Sequence, residues 1–337
     1  MRNNTNRFNV GLTLLKDGSS DECFFNVYMD WDVDKSICSG QETSTAGFSS
    51  TKLNFIPYVL FPTTLPTAEG DETVWLISGS DRRIHIYPSV GSQNRLSDDF
   101  TAERAFPEFT KVQGITLYLD LHYVHQRKSR FTLTSGESGN VHLFNVDVSL
   151  PKNPKILSSQ KVQFDFPSSA VKLFYAFNKK CDIESELGAE KIFESKFSDE
   201  TEPLALITTT LESCFIHSAE DLDEPAVQLS ESENFDVVTS CLICDIDFDG
   251  INEIVLGTYG QVVLIYKLVE ETHHNWEFDK KLFNFHSPVL SLAYEDILGD
   301  GIKELIISTM AGVHVYQTDP ENAAALIIQR LRKLNTS

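Results

Sequence analysis

The sequence contains no apolar run that approaches 18 residues, the length at which a helix begins to span a bilayer. We therefore predict no membrane-spanning helix. Residues 2–7 are polar or basic and lead directly into an apolar segment that we interpret as a strand, so they offer no apolar core of a secretory signal. Direct insertion into a membrane is excluded on this reading, and we expect the chain to be cytoplasmic.

Basic residues are also scarce. The chain has 28 Lys and Arg against 49 Asp and Glu, a formal net charge of −21 over 337 residues. An excess of negative charge of this size repels phosphate backbones and anionic lipid surfaces. Nucleic acid is therefore excluded as a partner, and so is a bare membrane surface.

Six cysteines are too few for a disulfide framework in a chain of this length. Cys241 and Cys244 have the spacing of a metal or redox pair, but they lie in an apolar segment that we interpret as a strand. Residues three apart in a strand point to opposite faces, and a structural zinc site needs four ligands. We expect both thiols to pack in the core of a protein from a reducing compartment.

Motifs of enzyme active sites are missing as well. The sequence has no glycine-rich phosphate loop and no nucleophile motif with its partners. His85, His142 and His314 occupy the same place in three similar strands, but Leu264 occupies that place in a fourth. Because this position tolerates leucine, we expect the three imidazoles to pack between sheets rather than to hold a metal. We therefore predict no catalytic residues, no required cofactor and no enzyme activity.

The sequence does contain an internal repeat. Residues 245–258 and 296–309 share an acidic residue, an Asp-Gly pair and a Glu before an apolar strand, and each continues through a turn into a second strand that ends at Tyr266 or Tyr316. Weaker copies of the strand–turn–strand unit cover residues 10–29, 75–87, 131–144 and 204–217. A period near 50 with this pattern is typical of β-propeller blades.

Six such hairpins predict an all-β protein, with residues 1–318 forming a β-propeller and residues 319–337 a C-terminal amphipathic helix. Two polar stretches, 178–202 and 219–236, interrupt the strand pattern and are predicted to be solvated loops. Asp319 suits the cap of the terminal helix. Its apolar stripe and basic residues are expected to dock on a partner or to pack back on the propeller, and the candidate partner-binding residues are Ile327, Arg330, Leu331 and Leu334.

The first acidic turn is the best candidate for ion chemistry. Asp245, Asp247, Asp249 and Glu253 fall at positions one, three, five and nine around a glycine, a spacing that gathers oxygens around a hard cation such as Ca²⁺. The turn resembles the integrin-type FG-GAP loop. In the second copy Leu298 replaces the middle aspartate, so Asp296, Asp300 and Glu304 make a poorer site. The alternative is that these acids brace the turn through hydrogen bonds without any metal.

The chain as a whole resembles the kaptin family. The resemblance rests on residues 235–250 and 257–267, and is supported by residues 76–79, 84–87, 106–110, 312–316 and 330–332. It implies a seven-bladed propeller without enzymatic activity. About one blade is lacking before Val10, as expected for an N-terminally shortened relative or isoform.

What the resemblance implies about function is a scaffold subunit of the KICSTOR complex. Through the other subunits it would recruit the Rag-GTPase-activating complex to the lysosomal membrane surface and restrain TOR complex 1 during amino-acid starvation. The alternative is an actin-filament-binding protein of lamellipodia and stereocilia. Actin is acidic, so this alternative requires a basic patch, and residues 126–130 and the terminal helix are the candidates.

Overall fold

In a computed structural model, the structure describes residues 7–16, 22–32, 47–67, 70–88, 104–124, 127–150, 153–176, 203–269, 275–282, 285–299, 301–319, 321, 324, 325 and 328. Within these ranges the chain forms small antiparallel sheets joined by turns, and its regular structure is almost entirely β. The predicted all-β fold is confirmed.

The described strands make six sheets of three or four strands each. The first three sheets contain β1 (Arg7–Leu15), β2 (Cys23–Asp32) and β3 (Gly47–Leu53); β4 (Pro57–Thr67), β5 (Gly70–Gly79) and β6 (Ile84–Pro88); and β7 (Thr116–Val124), β8 (Ser129–Gly136), β9 (Asn140–Asp147) and β10 (Lys155–Gln163). In each of them the strands are neighbours in chain order.

The last three sheets follow the same rule. They contain β11 (Ser168–Phe174), β12 (Leu204–Thr209), β13 (Phe215–Ser218) and β14 (Val227–Gln228); β15 (Val238–Cys244), β16 (Glu253–Thr258), β17 (Val263–Leu268) and β18 (Trp276–Leu282); and β19 (Val289–Glu295), β20 (Glu304–Thr309) and β21 (Gly312–Tyr316). Each of the six predicted hairpins is an adjacent strand pair of one sheet, so all six are confirmed.

A recurring irregularity shows that the sheets are copies of one unit. Where the first strand of a sheet pairs with the second, the register shifts close to the start of the first strand, as between Val238 and Ser240 in β15 and between Val289 and Ser291 in β19. The same shift occurs in the other four sheets. A bulge at a fixed place bends each strand pair in the same way.

The chain divides into two compact units. One comprises Met1–Glu137 with Phe144–Ser159, and the other Ser138–Leu143 with Gln160–Ser337. In the first unit the core lies between sheets, with one cluster around Phe25, Leu53 and Trp75 and another around Leu76, Phe106 and Leu121. In the second unit two clusters lie on the opposite faces of the sheet β15–β18.

The two cysteines of β15 show how these faces are filled. Cys241 packs in the cluster that contains Leu256 and Leu264, whereas Cys244 packs in the cluster that contains Val255 and Ile265. Both thiols are buried, and burial raises the pKa of Cys244 to about 12. The prediction of core packing on opposite faces is confirmed for this pair.

The segment 219–236 is more ordered than predicted. Its acidic residues at 220, 221, 223 and 224 are exposed, but Leu222 and Leu229 are buried. The rest of the segment forms β14 and a 3₁₀ helix, Ser232–Phe235. Ser232 fixes that helix by accepting a hydrogen bond from the amide of Cys214 at 2.9 Å. The prediction of a simple solvated loop is wrong for residues 227–235, whereas the other predicted loop, 178–202, lies outside the described residues.

A second 3₁₀ helix, Pro107–Lys111, precedes β7. At the C-terminus, Glu321, Ala324, Ala325 and Ile328 are helical and exposed. The Asp319 carboxylate accepts a hydrogen bond from the amide of Glu321 at 3.1 Å, as a capping residue does. The predicted start of the terminal helix is therefore present.

Candidate functional site

The acidic turn between β15 and β16 brings three of its four predicted ligands together. One carboxylate oxygen from each of Asp245, Asp247 and Glu253 lies within 4.8 Å of the others. Asp245 and Glu253 are buried, and Asp247 is partly exposed. Three convergent carboxylates have the chemistry that a hard divalent cation prefers.

Asp249 does not belong to this group. Its carboxylate accepts a hydrogen bond from the amide of Ile251 at 2.7 Å, which is a local turn contact. The same kind of contact runs through the rest of the turn, because Asp245 accepts from the amide of Gly250 at 2.9 Å and Glu253 accepts from the amide of Ile246 at 2.7 Å. These bonds brace the turn directly, and whether an ion also binds there stays a prediction.

A positive charge already sits at the cluster. The ammonium of Lys267, on β17, forms a hydrogen bond and an ion pair with Asp247. Desolvation opposes the charged form of Lys267, but the hydrogen bond and charge of Asp247 outweigh it and raise its pKa. A divalent cation that used Asp247 would have to displace this ammonium.

The carboxyl group of Glu253 is strongly affected by its surroundings. Burial raises its pKa to about 8, and the negative charges of Asp247 and Asp249 act in the same direction. The bond from Ile246 and the charge of Lys267 oppose this shift. Glu253 is therefore held in a site where an extra proton or a nearby cation stabilises it.

The second acidic turn keeps the bracing bonds and loses the ion pair. Asp296 accepts from the amides of Gly299 and Gly301 at 2.6 and 2.8 Å. The fully buried Glu304 accepts from the amide of Ile297 at 2.9 Å. The bonds from Gly301 to Asp296 and from Ile297 to Glu304 repeat those of the first turn at the same offsets. Asp300 lies outside the described residues.

The differences between the two turns include both members of the ion pair. Pairing of β16 with β17 and of β20 with β21 aligns Tyr266 with Tyr316, and therefore Lys267 with Gln317. Leu298, which is exposed, occupies the place of Asp247. The charge pair is thus lost as a unit, while the residues that brace the turn are kept.

The repeated histidines lie against aromatic rings or in the core. His85 stacks on Phe55 with ring centroids 4.1 Å apart, and His314 meets Phe285 edge-on at 5.1 Å. His142 is buried, and this burial lowers its pKa. Among the described residues, no histidine belongs to a group suited to a metal ion.

Sequence reasoning missed the aromatic partners of these histidines. Phe55 precedes β4 and Phe285 precedes β19, so each enters just before the first strand of its sheet. An aromatic residue recurring shortly before the predicted first strand is the signal that points to them.

The basic run 126–130 does not form a basic patch. Arg130 is fully buried, and its guanidinium makes a two-bond ion pair with Glu108, with Nε–Oε1 and Nη2–Oε2 distances of 2.9 Å. The guanidinium carbon Cζ of Arg130 also lies 4.1 Å from the centroid of the Phe106 ring. Arg127 and Lys128 remain exposed, so the candidacy of Arg130 for an acidic partner such as actin is wrong. Gln126 lies outside the described residues.

The candidate partner-binding residues of the terminal helix, Ile327, Arg330, Leu331 and Leu334, also lie outside the described residues, so their role stays a prediction. In the part of the chain that the structure describes, no helix is both long enough and apolar enough to cross a membrane.

Comparison with known proteins gives the family. A family model described as "KICSTOR complex protein kaptin" matches residues 1–328. The KICSTOR complex protein kaptin of Mus musculus is 30% identical over 337 residues, a match that covers 96% of this chain and 72% of the mouse protein.

Among solved structures, the crystal structure of BBS1N in complex with ARL6DN, soaked with lead, contains a chain that matches 92% of this chain with a TM-score of 0.51. The match covers 82% of that chain at 11% identity, so it shows the fold alone. It confirms the all-β, propeller-type fold, and the number of blades stays a prediction.

Proposed function

This chain belongs to the family of the KICSTOR complex protein kaptin, and from that membership we propose that it is a non-enzymatic scaffold subunit of a KICSTOR-type complex. The observation that carries the proposal is the extent of the similarity, 30% identity over 96% of the chain. Such a match includes all six sheets rather than one shared motif.

We further propose that the complex recruits the Rag-GTPase-activating complex to the lysosomal surface and restrains TOR complex 1 when amino acids are scarce. The chain contributes binding surfaces and no chemistry to this activity. Its acidic turns support that division, because their carboxylates are used in backbone hydrogen bonds. The repeated histidines support it also, because they pack rather than line a site.

Affinity purification tests the assembly. The tagged chain is purified from cells grown with amino acids and from starved cells, and its partners are identified by mass spectrometry. We expect the other KICSTOR subunits under both conditions and the Rag-GTPase-activating complex with them. Recovery of neither group from a well-folded chain would overturn the proposal.

Loss of the gene tests the regulatory role. Phosphorylation of TOR complex 1 substrates should persist during starvation in cells that lack the chain, and re-expression should restore its decline. An unchanged starvation response would reject the regulatory proposal. Membership of the complex would still be decided by the affinity purification.

The actin alternative is weaker on structural grounds, because burial of Arg130 removes one of the few candidate basic residues. Co-sedimentation of the purified chain with actin filaments separates the two functions. We expect the chain to stay in the supernatant, and saturable pelleting without other subunits would favour direct actin binding.

A further inference from the structure

Two turns of neighbouring sheets in the second unit present large apolar side chains to solvent. Leu211, between β12 and β13, is 69% exposed, and Tyr259, between β16 and β17, is 53% exposed. The two sheets share one core cluster. Both turns lie where the first strand of their sheet begins, because the amide of Thr210 donates to the carbonyl of Pro167 at 3.1 Å and that of Tyr259 to the carbonyl of Val237 at 2.9 Å. This end is opposite to the acidic turn between β15 and β16.

The 3₁₀ helix Ser232–Phe235 joins the two turns into one surface. On one side, the hydroxyl of Ser213 donates to the carboxylate of Glu233 at 2.9 Å. On the other side, the chain packs so tightly against Gly260 that a Cβ added there would lie 2.5 Å from the carbonyl oxygen of Phe235. Contacts therefore run from the turn of Leu211 through the helix to the turn of Tyr259. We call residues 211–213, 231–236 and 259–261 the turn surface.

The charged side chains of the turn surface are all acidic. Three are exposed and one is partly buried, namely Glu231, Glu233 and Asp236, and Glu212. The segment that builds the surface is itself without bases, because residues 203–266 contain 12 Asp and Glu and no Lys or Arg. The next base along the chain, Lys267, is engaged with Asp247 at the other end of the sheet. The negative charge around Leu211 and Tyr259 is therefore a local property of these two sheets.

The backbone of the turn surface is held in an unusual conformation. Of the six described residues other than glycine that have a positive φ, three lie in it: Glu231 at 64°, Asp236 at 68° and Gln261 at 67°. Asp236 combines this φ with a ψ of −178°, a region nearly confined to glycine. Such conformations persist where surrounding contacts fix them, and they concentrate at binding sites. A surface fixed before binding loses less conformational entropy when a partner docks.

From these observations we propose that the turn surface binds a segment of a partner protein in which Lys or Arg side chains flank leucine or an aromatic residue. The apolar side chains of the segment pack against Leu211 and Tyr259, and its cations pair with the surrounding carboxylates. The phenol ring of Tyr259 also offers a face to a guanidinium. The exposed apolar side chains supply contact area, whereas the acids around them select a basic segment and reject an acidic one.

Three short peptides labelled with fluorescein are the probes. The first is built from Arg and Leu, the second has Glu in place of each Arg, and the third has Ser in place of each Leu. Titrated with the full chain and followed by fluorescence anisotropy, the first should bind saturably and increase the hydrogen-exchange protection of residues 209–214 and 231–237. The other two should bind at least about tenfold more weakly. Raising the salt concentration from about 50 to about 500 mM should weaken binding of the first.

Two sets of substitutions locate the site. Leu211→Ser with Tyr259→Ser removes the apolar side chains. Glu231→Gln, Glu233→Gln and Asp236→Asn remove three charges and keep the acceptors for the hydroxyl of Ser213 and the amide at position 237. Each set should weaken binding of the Arg and Leu peptide at least about tenfold. If the triple variant fails to fold, Glu231→Gln alone should weaken binding at least about threefold.

Matched controls lie at the opposite end of the same two sheets. Glu220→Gln, Asp221→Asn and Asp223→Asn change the net charge by the same amount, at exposed positions of the loop that follows β13. Val269→Ser removes a 55% exposed apolar side chain just after β17. Both control variants should bind the peptide as the wild type does, because the charge and the apolar surface that matter are local.

Four outcomes would overturn the proposal. The first two are no saturable binding by the folded wild-type chain and equal affinity for the three peptides. Equal weakening by the two triple variants would show that only the overall charge matters. Binding that emerges only after removal of residues 178–202 or 320–337 would assign the turn surface to a segment of this chain. The peptide titration does not depend on KICSTOR membership, so either proposal can fail without the other.

Discussion

Lys267 donates a hydrogen bond to Asp247 across the mouth of the first acidic turn, and the second turn has Gln317 and Leu298 in the corresponding places. In both turns the first acid accepts a bond from the glycine five residues later, and the last glutamate accepts one from the amide seven residues earlier. The comparison separates residues that shape the turn from residues that balance its charge. Asp247 and Lys267 belong to the second group.

The charge pair should behave as a unit. Lys267→Gln leaves Asp247 and Glu253 without their ammonium and should lower the free energy of unfolding by about 1 kcal/mol. The double variant Asp247→Leu and Lys267→Gln copies the second turn and should lose less than the sum of the single changes. Urea unfolding of the wild type, the two single variants Asp247→Leu and Lys267→Gln, and the double variant measures the coupling free energy. Additivity of the single changes within about 0.3 kcal/mol would show that the two side chains are not coupled.

Calcium should reveal whether the lysine competes with a cation. We expect millimolar Ca²⁺ to raise the melting temperature of Lys267→Gln more than that of the wild-type chain, because the three carboxylates are then free of the ammonium. Asp247→Ala should remove the increment, whereas Asp249→Ala should lower stability without changing the response to Ca²⁺. The melting temperatures are measured by calorimetry, with Mg²⁺ as the control ion. Absence of any shift in all four chains would leave the acids with a bracing role alone.

The buried pair of Arg130 and Glu108 should be essential for stability. Arg130→Met leaves a carboxylate in the core without its partner, which costs about 3–5 kcal/mol in such sites. Replacing Glu108 by Leu as well should recover part of the loss, because no unpaired charge then remains. Chemical denaturation followed by circular dichroism checks this. Lys128→Met, at an exposed position of the same run, is the control and should change stability by less than about 0.5 kcal/mol.

Acidification should destabilise the sheet β11–β14 through His217. Burial lowers the pKa of this imidazole from 6.5, although a backbone contact with Leu222 opposes the shift. The unfolded chain then binds more protons than the folded chain below pH 6.5, so the contribution to stability is present above that pH and is lost as the pH falls. His217→Phe should flatten this fall in melting curves between pH 7 and about 5, and the exposed His286→Gln should not. If the melting temperatures of the wild type and of His217→Phe fell equally with pH, His217 would not be the group responsible.

The terminal helix should matter more for assembly than for folding. Ile327→Asp and Leu331→Asp place a charge on its predicted apolar stripe and should reduce recovery of KICSTOR subunits, while stability changes by about 1 kcal/mol. Gln329→Glu, on the opposite side of the predicted helix, adds a charge away from the stripe and is the control. Co-purification and thermal melting are measured on the same preparations. Unfolding of the sheets by the stripe variants would place the helix in the core.

Much of the fold was predictable because its signals are local. Apolar strands bounded by glycine and acidic turns identified all six hairpins, and the repeat at residues 245 and 296 gave the turn and its strands. The opposite orientation of Cys241 and Cys244 followed from the two-residue period of a strand. The edge strand β14 was missed, because two residues are too short to show any period.

The sequence by itself determined one strand pair in each of the six sheets, the positions of the acidic turns and the family. Tertiary structure decided what each polar residue does, because those contacts join residues far apart in the chain. Asp247 and Asp249 have the same chemistry and lie two residues apart. The register of β16 and β17 places Lys267 against Asp247, whereas Asp249 accepts a hydrogen bond from the backbone amide of Ile251. In the sequence Arg130 belongs to a basic run that predicts a basic surface. In the structure the 3₁₀ helix Pro107–Lys111 places Glu108 against Arg130 in the core. Whether an apolar strand such as β21 is covered likewise depends on which neighbours pack against it, a long-range property that periodicity does not encode.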